Sequence, residues 1–244
     1  MGLPGLNDDE CNNLELNDGI FMNEILQHIE SLGIIPVVII DDEANAEPLS
    51  EALLCAGLST MEITFRTNAA KSALVRITKT NPSMLLGAGT VLTVDQAKIA
   101  IDAGARYVVS PGFNRHVVDH CLENGVLVLP GVITPTEIQT ALDAGIHVVK
   151  FFPAEAAGGR EYLTAVGAPF KNLRFIPTGG IDQSNFLSYF TNPQVSACGG
   201  SWMVKPSLIS SKRFEEIRQL TSSALESLRN FRLSSAGNPA PNNK

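Results

Sequence analysis

Ile101-Asp102-Ala103-Gly104-Ala105, Leu122-Glu123-Asn124-Gly125-Val126 and Leu142-Asp143-Ala144-Gly145-Ile146 repeat one arrangement: the end of an apolar helix, a glycine, then the start of a short apolar strand. Leu54-Cys55-Ala56-Gly57-Leu58 is a fourth copy. Glycine just past a helix takes the left-handed conformation that ends it, and the chain then enters a sheet. Gly104, Gly125 and Gly145 lie 21 and 20 residues apart, the length of one compact strand–loop–helix module. Serial modules of this kind imply a parallel sheet.

Working outward from these glycines, strands are expected at Ile34–Ile40, Thr60–Thr64, Met84–Ala88, Tyr107–Ser110, Val126–Leu129, His147–Phe152, Arg174–Pro177 and Val195–Cys198. Helical stretches fall between them, near 45–56, 68–80, 93–103, 114–124, 135–144, 159–167, 183–190 and 211–230. Asn68, Thr93, Asn114 and Thr134 are placed to cap several of them. With a leading amphipathic helix at 22–32, eight strands alternating with eight helices predict an α/β fold, a (β/α)8 TIM barrel with an extra N-terminal helix. The competitor is a doubly wound open sheet. A dinucleotide-binding fingerprint starting at Gly87 would need a glycine where Leu92 stands, which weakens it.

The chain has 244 residues, a size that α/β barrels commonly reach as one unit. Its net charge of −7, from 18 basic and 25 acidic residues, argues against nucleic acid or an anionic membrane as partner. Any anionic ligand must be held by local donors. Cys11, Cys55, Cys121 and Cys198 are scattered, which suits reduced thiols of a cytoplasmic protein better than a disulfide framework or a zinc site. No apolar run is long enough to span a membrane. Residues 1–18 are rich in Asn, Asp and Gly, and 233–244 are polar with Pro and Asn; both are expected to be disordered tails around a single catalytic domain at 19–232. Met22, which opens the leading helix, is a conceivable alternative translation start.

Lys150 stands inside His147-Val148-Val149-Lys150-Phe151-Phe152-Pro153, a β-type apolar run. Desolvation disfavours an ammonium and leaves more free amine, and such lysines form Schiff bases with carbonyl substrates. Alone, a lysine here would more commonly snorkel to water. Its company changes that reading. In a barrel the active site lies at the C-terminal ends of the strands. There the chain places Glu62-Ile63-Thr64-Phe65-Arg66-Thr67, Gly87-Ala88-Gly89-Thr90, Ser110-Pro111-Gly112, Pro130-Gly131, Lys150, Pro177-Thr178-Gly179-Gly180 and Gly199-Gly200-Ser201-Trp202. Polar residues and glycines gather on one rim.

These segments, extended by Val91-Leu92, Phe151-Phe152-Pro153-Ala154-Glu155 and Ile181, together resemble the 2-keto-3-deoxy-6-phosphogluconate aldolase / 4-hydroxy-2-oxoglutarate aldolase family. The resemblance runs in order over about residues 22–230. It departs at the two tails and at Phe65, where the family often has leucine. It implies a class I aldolase acting on a small-molecule 2-keto acid, cytoplasmic, trimeric, and without cofactor or metal. Lys150 would attack the C2 ketone and form an iminium, an electron sink for cleavage between C3 and C4. Glu62 would shuttle protons. A strand spacing of four residues puts Glu62 and Arg66 about 13 Å apart, so a direct pair between them requires a bend after Thr64.

Arg66 offers a planar fork for the substrate carboxylate, joined by the Thr90 hydroxyl. Pro111, Phe152 and Thr178 would line the pocket. Gly179, Gly180, Gly199, Gly200 and Ser201 follow the last two strands, where many barrels hold phosphate with backbone N–H groups. Gly-Gly also makes plain tight turns. His116 and His120 are spaced to share a helix face, but on the outer layer, where solvation explains them better than a metal. The resemblance implies cleavage of 2-keto-3-deoxy-6-phosphogluconate to pyruvate and glyceraldehyde 3-phosphate, and/or of 4-hydroxy-2-oxoglutarate to pyruvate and glyoxylate; the alternatives are the phosphogalactonate epimer, and a phosphate-barrel isomerase or synthase without covalent catalysis.

Overall fold

Helix stops and helix caps decide where this chain turns. The computed structural model describes residues 22–236; the expectations for 1–18 and for most of the C-terminal tail lie outside them. The described residues open in helix α1 (22–32). Then come β1 (Ile34–Val38), α2 (Ala46–Cys55), β2 (Thr60–Thr64), α3 (Ala70–Thr80), β3 (Leu85–Gly89), α4 (Val94–Asp102), β4 (Tyr107–Val109) and α5 (Arg115–Glu123). The second half contains β5 (Leu127–Leu129), β6 (Gly131–Val132), α6 (Pro135–Asp143), β7 (Val148–Phe151), α7 (Gly159–Gly167), β8 (Arg174–Pro177), α8 (Phe186–Tyr189), β9 (Cys198–Gly200), α9 (Pro206–Ser210) and α10 (Phe214–Ala236).

The repeated glycines do stop their helices, with φ of 103° at Gly104, 63° at Gly125 and 78° at Gly145. Thr93 and Asn114 accept the first free N–H groups of α4 and α5. Thr134 and Glu137 form a reciprocal capping box on α6. Asn68 does not cap α3, which begins after Ala69 with no side-chain cap.

All strand pairs are parallel. One sheet runs β5-β4-β3-β2-β1-β9 and a second runs β6-β7-β8. They meet at one margin through bridges from Phe175 to Val195 and from Thr178 to Gly199. At the other margin Pro130 separates β5 from β6. Proline has no N–H to give the ladder, yet its carbonyl accepts the Lys150 N–H at 3.0 Å. The result is a curled parallel sheet with helices outside it.

Two apolar clusters fill the fold. The larger lies between strands and helices. The smaller lies on the concave face, where Ile35, Tyr107, Val109, Leu127, Leu129, Val148, Ile176 and Ala197 are buried. Ile25 and Ile29 of α1 join it from the N-terminal end of the strands. Each valine, leucine or isoleucine among them contributes about 1.5–3 kcal/mol when fully buried. Alternation along β7 is decisive: Val148 and Lys150 face inward, while Val149 and Phe151 belong to the outer cluster.

Several expectations need correcting. The last strand was expected at Val195–Cys198, with Gly199 and Gly200 in the turn beyond it. Instead those glycines are in the strand, opposite Ile35 and Pro36 of β1. The helix expected at 183–190 shrinks to α8, because the Asp182 carboxylate accepts the Ser184 N–H and hydroxyl and holds that stretch as a turn. Finally, α10 continues to Ala236, into the stretch read as a disordered tail. Arg232 anchors it by donating to the carbonyls of Ser31 and Glu30 at 2.7 and 2.8 Å. Among the described residues no helix is long and apolar enough to cross a membrane.

Candidate active site

Lys150 comes from β7 and Glu62 from β2, on opposite sides of the concave face. Their side chains meet at 3.4 Å, Nζ to Oε1, with 7% and 3% of their surfaces exposed. An ion pair this dry loses hydration on both partners, and removing one partner strands the other at a cost of about 3–5 kcal/mol. Glu62 fits because the neighbouring strand is bare. A methyl group at Gly89 would sit 2.0 Å from Glu62 Oε1, and one at Gly87 would sit 2.1 Å from the Tyr107 ring. Tyr107 is fully buried, its hydroxyl 3.1 Å from that of Thr60, and burial pushes its phenol well above the ordinary range.

Chain direction changes after Thr64, the last residue of β2, and Arg66 does not return to Glu62. Its Nε donates to the Thr90 hydroxyl at 3.2 Å. Thr90 has φ of 58°, the left-handed region that a β-branched residue rarely adopts. Strain of this kind costs about 1–3 kcal/mol and collects at functional sites. A run of neighbours thus connects Lys150, Glu62, Gly89, Thr90 and Arg66.

A second run leads the other way. Lys150 Nζ lies over the Phe152 ring, 5.2 Å from its centroid. A Cβ at Gly179 would meet that ring at 3.3 Å. Thr178 bridges to Gly199, so the two glycine pairs expected at the rim are brought together. Gly179 and Gly180 have φ of 101° and 77°, conformations that favour glycine. Gly199 and Gly200 are bare for another reason: a Cβ there would sit 2.4 Å from the Thr178 hydroxyl or 2.0 Å from the Trp202 ring. Part of their requirement is therefore internal packing. Ser201 is exposed just beyond them, and Pro111 is half-buried with its carbonyl against Gly131.

Sequence reading missed three contributors. Gly89 clears space for Glu62, and two glycines at alternate strand positions were the available signal. Tyr107 lies in the same inner layer. Glu155, beside Gly180, accepts the Tyr189 hydroxyl. Burial first, then that carboxylate, raises the Tyr189 phenol above its ordinary range. His116 is exposed on α5, away from this cluster. A separate groove of about 540 Å³, lined by Glu24, His28, Met84 and Arg106, opens at the opposite end of the strands and holds none of these paired groups.

A family model described as KDPG and KHG aldolase matches residues 25–220. The chain is 47% identical over 205 residues to a 2-dehydro-3-deoxy-phosphogluconate aldolase of Treponema pallidum, covering 84% of this chain and 98% of that one. It is 35% identical over 193 residues to the KHG/KDPG aldolase of Escherichia coli, covering 79% and 91%. Among solved structures, KDPG aldolase from Legionella pneumophila, with pyruvate captured as a covalent carbinolamine, superposes with a TM-score of 0.79. That chain is 36% identical, with 82% of this chain and 97% of that one covered.

Proposed function

The chain belongs to the KDPG and KHG aldolase family, and on that premise we propose how its own residues cleave 2-keto-3-deoxy-6-phosphogluconate into pyruvate and glyceraldehyde 3-phosphate. Such an enzyme is a carbon–carbon lyase. Glu62 takes a proton from Lys150, and the freed amine attacks the C2 ketone. The carboxyl returns a proton to the carbinolamine hydroxyl, water leaves, and an iminium forms. Glu62 then takes the C4 hydroxyl proton as the C3–C4 bond breaks and its electrons flow into the iminium, leaving an enamine. Protonation at C3 and hydrolysis release pyruvate and restore Lys150. Acid–base catalysis of this kind contributes about 10²–10⁴-fold. The observation that carries the reading is the buried Lys150–Glu62 contact at 3.4 Å.

Arg66 and Thr90 would hold the substrate carboxylate, with Pro111, Phe152 and Thr178 around the pyruvyl part. Gly179, Gly180, Gly199, Gly200 and Ser201 would receive the phosphate. Support comes from their gathering at one end of the strands, joined through the Thr178–Gly199 bridge. Cleavage of 4-hydroxy-2-oxoglutarate is a second activity on this reading, in line with the name of the Escherichia coli relative. The phosphogalactonate reading and the non-covalent isomerase are not favoured; the second leaves a dry lysine against a carboxylate without a purpose.

Incubation with pyruvate and borohydride, followed by mass mapping, tests the chemistry. A pyruvyl adduct on Lys150 that disappears in Lys150→Met is expected, and an unmodified Lys150 overturns the reading. Comparative rates on the two keto acids then rank the substrates.

The finer architecture follows the same reading. β5 and β6 act as one strand broken at Pro130, and the two sheets close as a (β/α)8 barrel, supported by the bridges at Val195 and Gly199. The barrel forms one catalytic domain, works in the cytoplasm and assembles as a homotrimer. Exposed Leu92 and Ile99 supply apolar surface for a second copy.

A further inference from the structure

We propose that the face of the Phe152 ring stabilises the positive charge that the Lys150 nitrogen carries as an iminium, a role beyond lining the pocket. The proposal rests on the Schiff-base reading above. The Lys150 side chain is buried, and burial penalises a cation. Two groups offset that penalty. The Glu62 carboxylate is 3.4 Å away, and the Phe152 ring is 5.2 Å from the nitrogen to its centroid. That distance lies within the roughly 6 Å over which a ring's electron-rich face attracts a cation.

The two groups differ in one respect that matters for turnover. Glu62 works as a base, so its negative charge vanishes each time it picks up a proton. The ring has nothing to titrate, so its attraction is present whenever the nitrogen carries charge. A Schiff base is a good electron sink only while its nitrogen carries charge; a neutral imine in an apolar site is a poor one. The iminium charge is shared between nitrogen and C2, so it stays near the same ring face.

Placement of the ring is built in. Phe152 lies two residues beyond Lys150 on the chain. Its Cδ2 and Cε2 atoms lie beside Gly179, where a Cβ would approach the ring to 3.3 Å. The reacting nitrogen and the first glycine turn of the rim thus both adjoin the ring.

The test replaces Phe152 site-specifically with mono-, di- and trifluorinated phenylalanines, which keep the shape and progressively drain the ring face. Phe152→Leu and Phe152→Trp complete the set. Each protein, checked for folding by circular dichroism, is incubated with pyruvate and borohydride, and the rate of adduct formation on Lys150 is measured. Trapping is expected to fall stepwise along the fluorinated series, to fall about 3- to 10-fold in Phe152→Leu, and to be retained in Phe152→Trp. A flat fluorinated series with normal trapping overturns this proposal and leaves the Schiff-base reading standing. No adduct in the unmodified enzyme sinks both.

Discussion

A methyl group added at position 89 would sit 2.0 Å from Glu62 Oε1 and 2.6 Å from its Cδ and Cγ, against a working minimum of 3.0 Å for such contacts. Gly89→Ala must therefore push the carboxylate by about 1 Å or more. Gly89 is not among the glycines with positive φ, so the backbone tolerates alanine and the perturbation acts through the new carbon. Glu62 is 3% exposed and has little room to retreat. Movement lengthens its 3.4 Å contact with Lys150. Misplacing a catalytic group by roughly 1 Å costs on the order of 10²-fold in rate, and overpacking a closed site costs about 1–3 kcal/mol of stability. The assay is pyruvate release in a coupled measurement, beside a thermal melt. A kcat lower by about two orders of magnitude in a folded protein is expected. In a Glu62→Gln background the same alanine should add only a few-fold, since the group it displaces is already disabled. A folded Gly89→Ala enzyme with a wild-type kcat would refute the assignment of Glu62.

Three other outcomes are expected. Arg232→Ala removes both donors to the Glu30 and Ser31 carbonyls and should lower stability by about 1–2 kcal/mol in urea titration without changing kcat; unchanged stability would show the clamp to be idle. Burial pushes the Cys121 thiol up to about 12 and raises Cys198 further, whereas Cys55 is exposed. Iodoacetamide near pH 8 should thus label Cys55 in the folded protein, and Cys121 and Cys198 only after unfolding, as peptide mapping would reveal. Burial alone would raise the Glu137 carboxyl, but the N–H groups of Ile133 and Thr134 and the Thr134 hydroxyl override it and hold it below the usual range. Its contribution is then present above the ordinary glutamate value and lost as pH falls through the lower folded value. Glu137→Gln should melt below wild type at neutral pH, and the gap should close in acid; a constant gap counts against the capping box.

Local signals were legible and long-range ones were not. Gly104, Gly125 and Gly145 announce helix ends because the left-handed conformation is a property of the residue itself. Lys150 stood out because nothing else in its apolar run is charged. Gly199-Gly200, by contrast, looks like a turn from inside its own segment. Only the pairing with Ile35 and Pro36 puts it in a strand. The service Gly89 performs for Glu62 likewise depends on the register of two strands, and the extension of α10 depends on carbonyls 201 residues away. Pro130 reads as a strand end, and in the structure it stands between β5 and β6, which pair in different ladders.

The clasp between Arg232 and the carbonyls of Glu30 and Ser31 has a consequence for how the polypeptide is made. The first described helix leaves the ribosome 201 residues before the guanidinium that fastens it. At ordinary elongation rates that gap lasts roughly 10–40 s. Ile25 and Ile29 gain the last of their cluster partners when Ala197 emerges, so their packing is complete before the clasp can form. Shortening the gene from its 3′ end past Arg232 would therefore remove the clasp while leaving that packing in place.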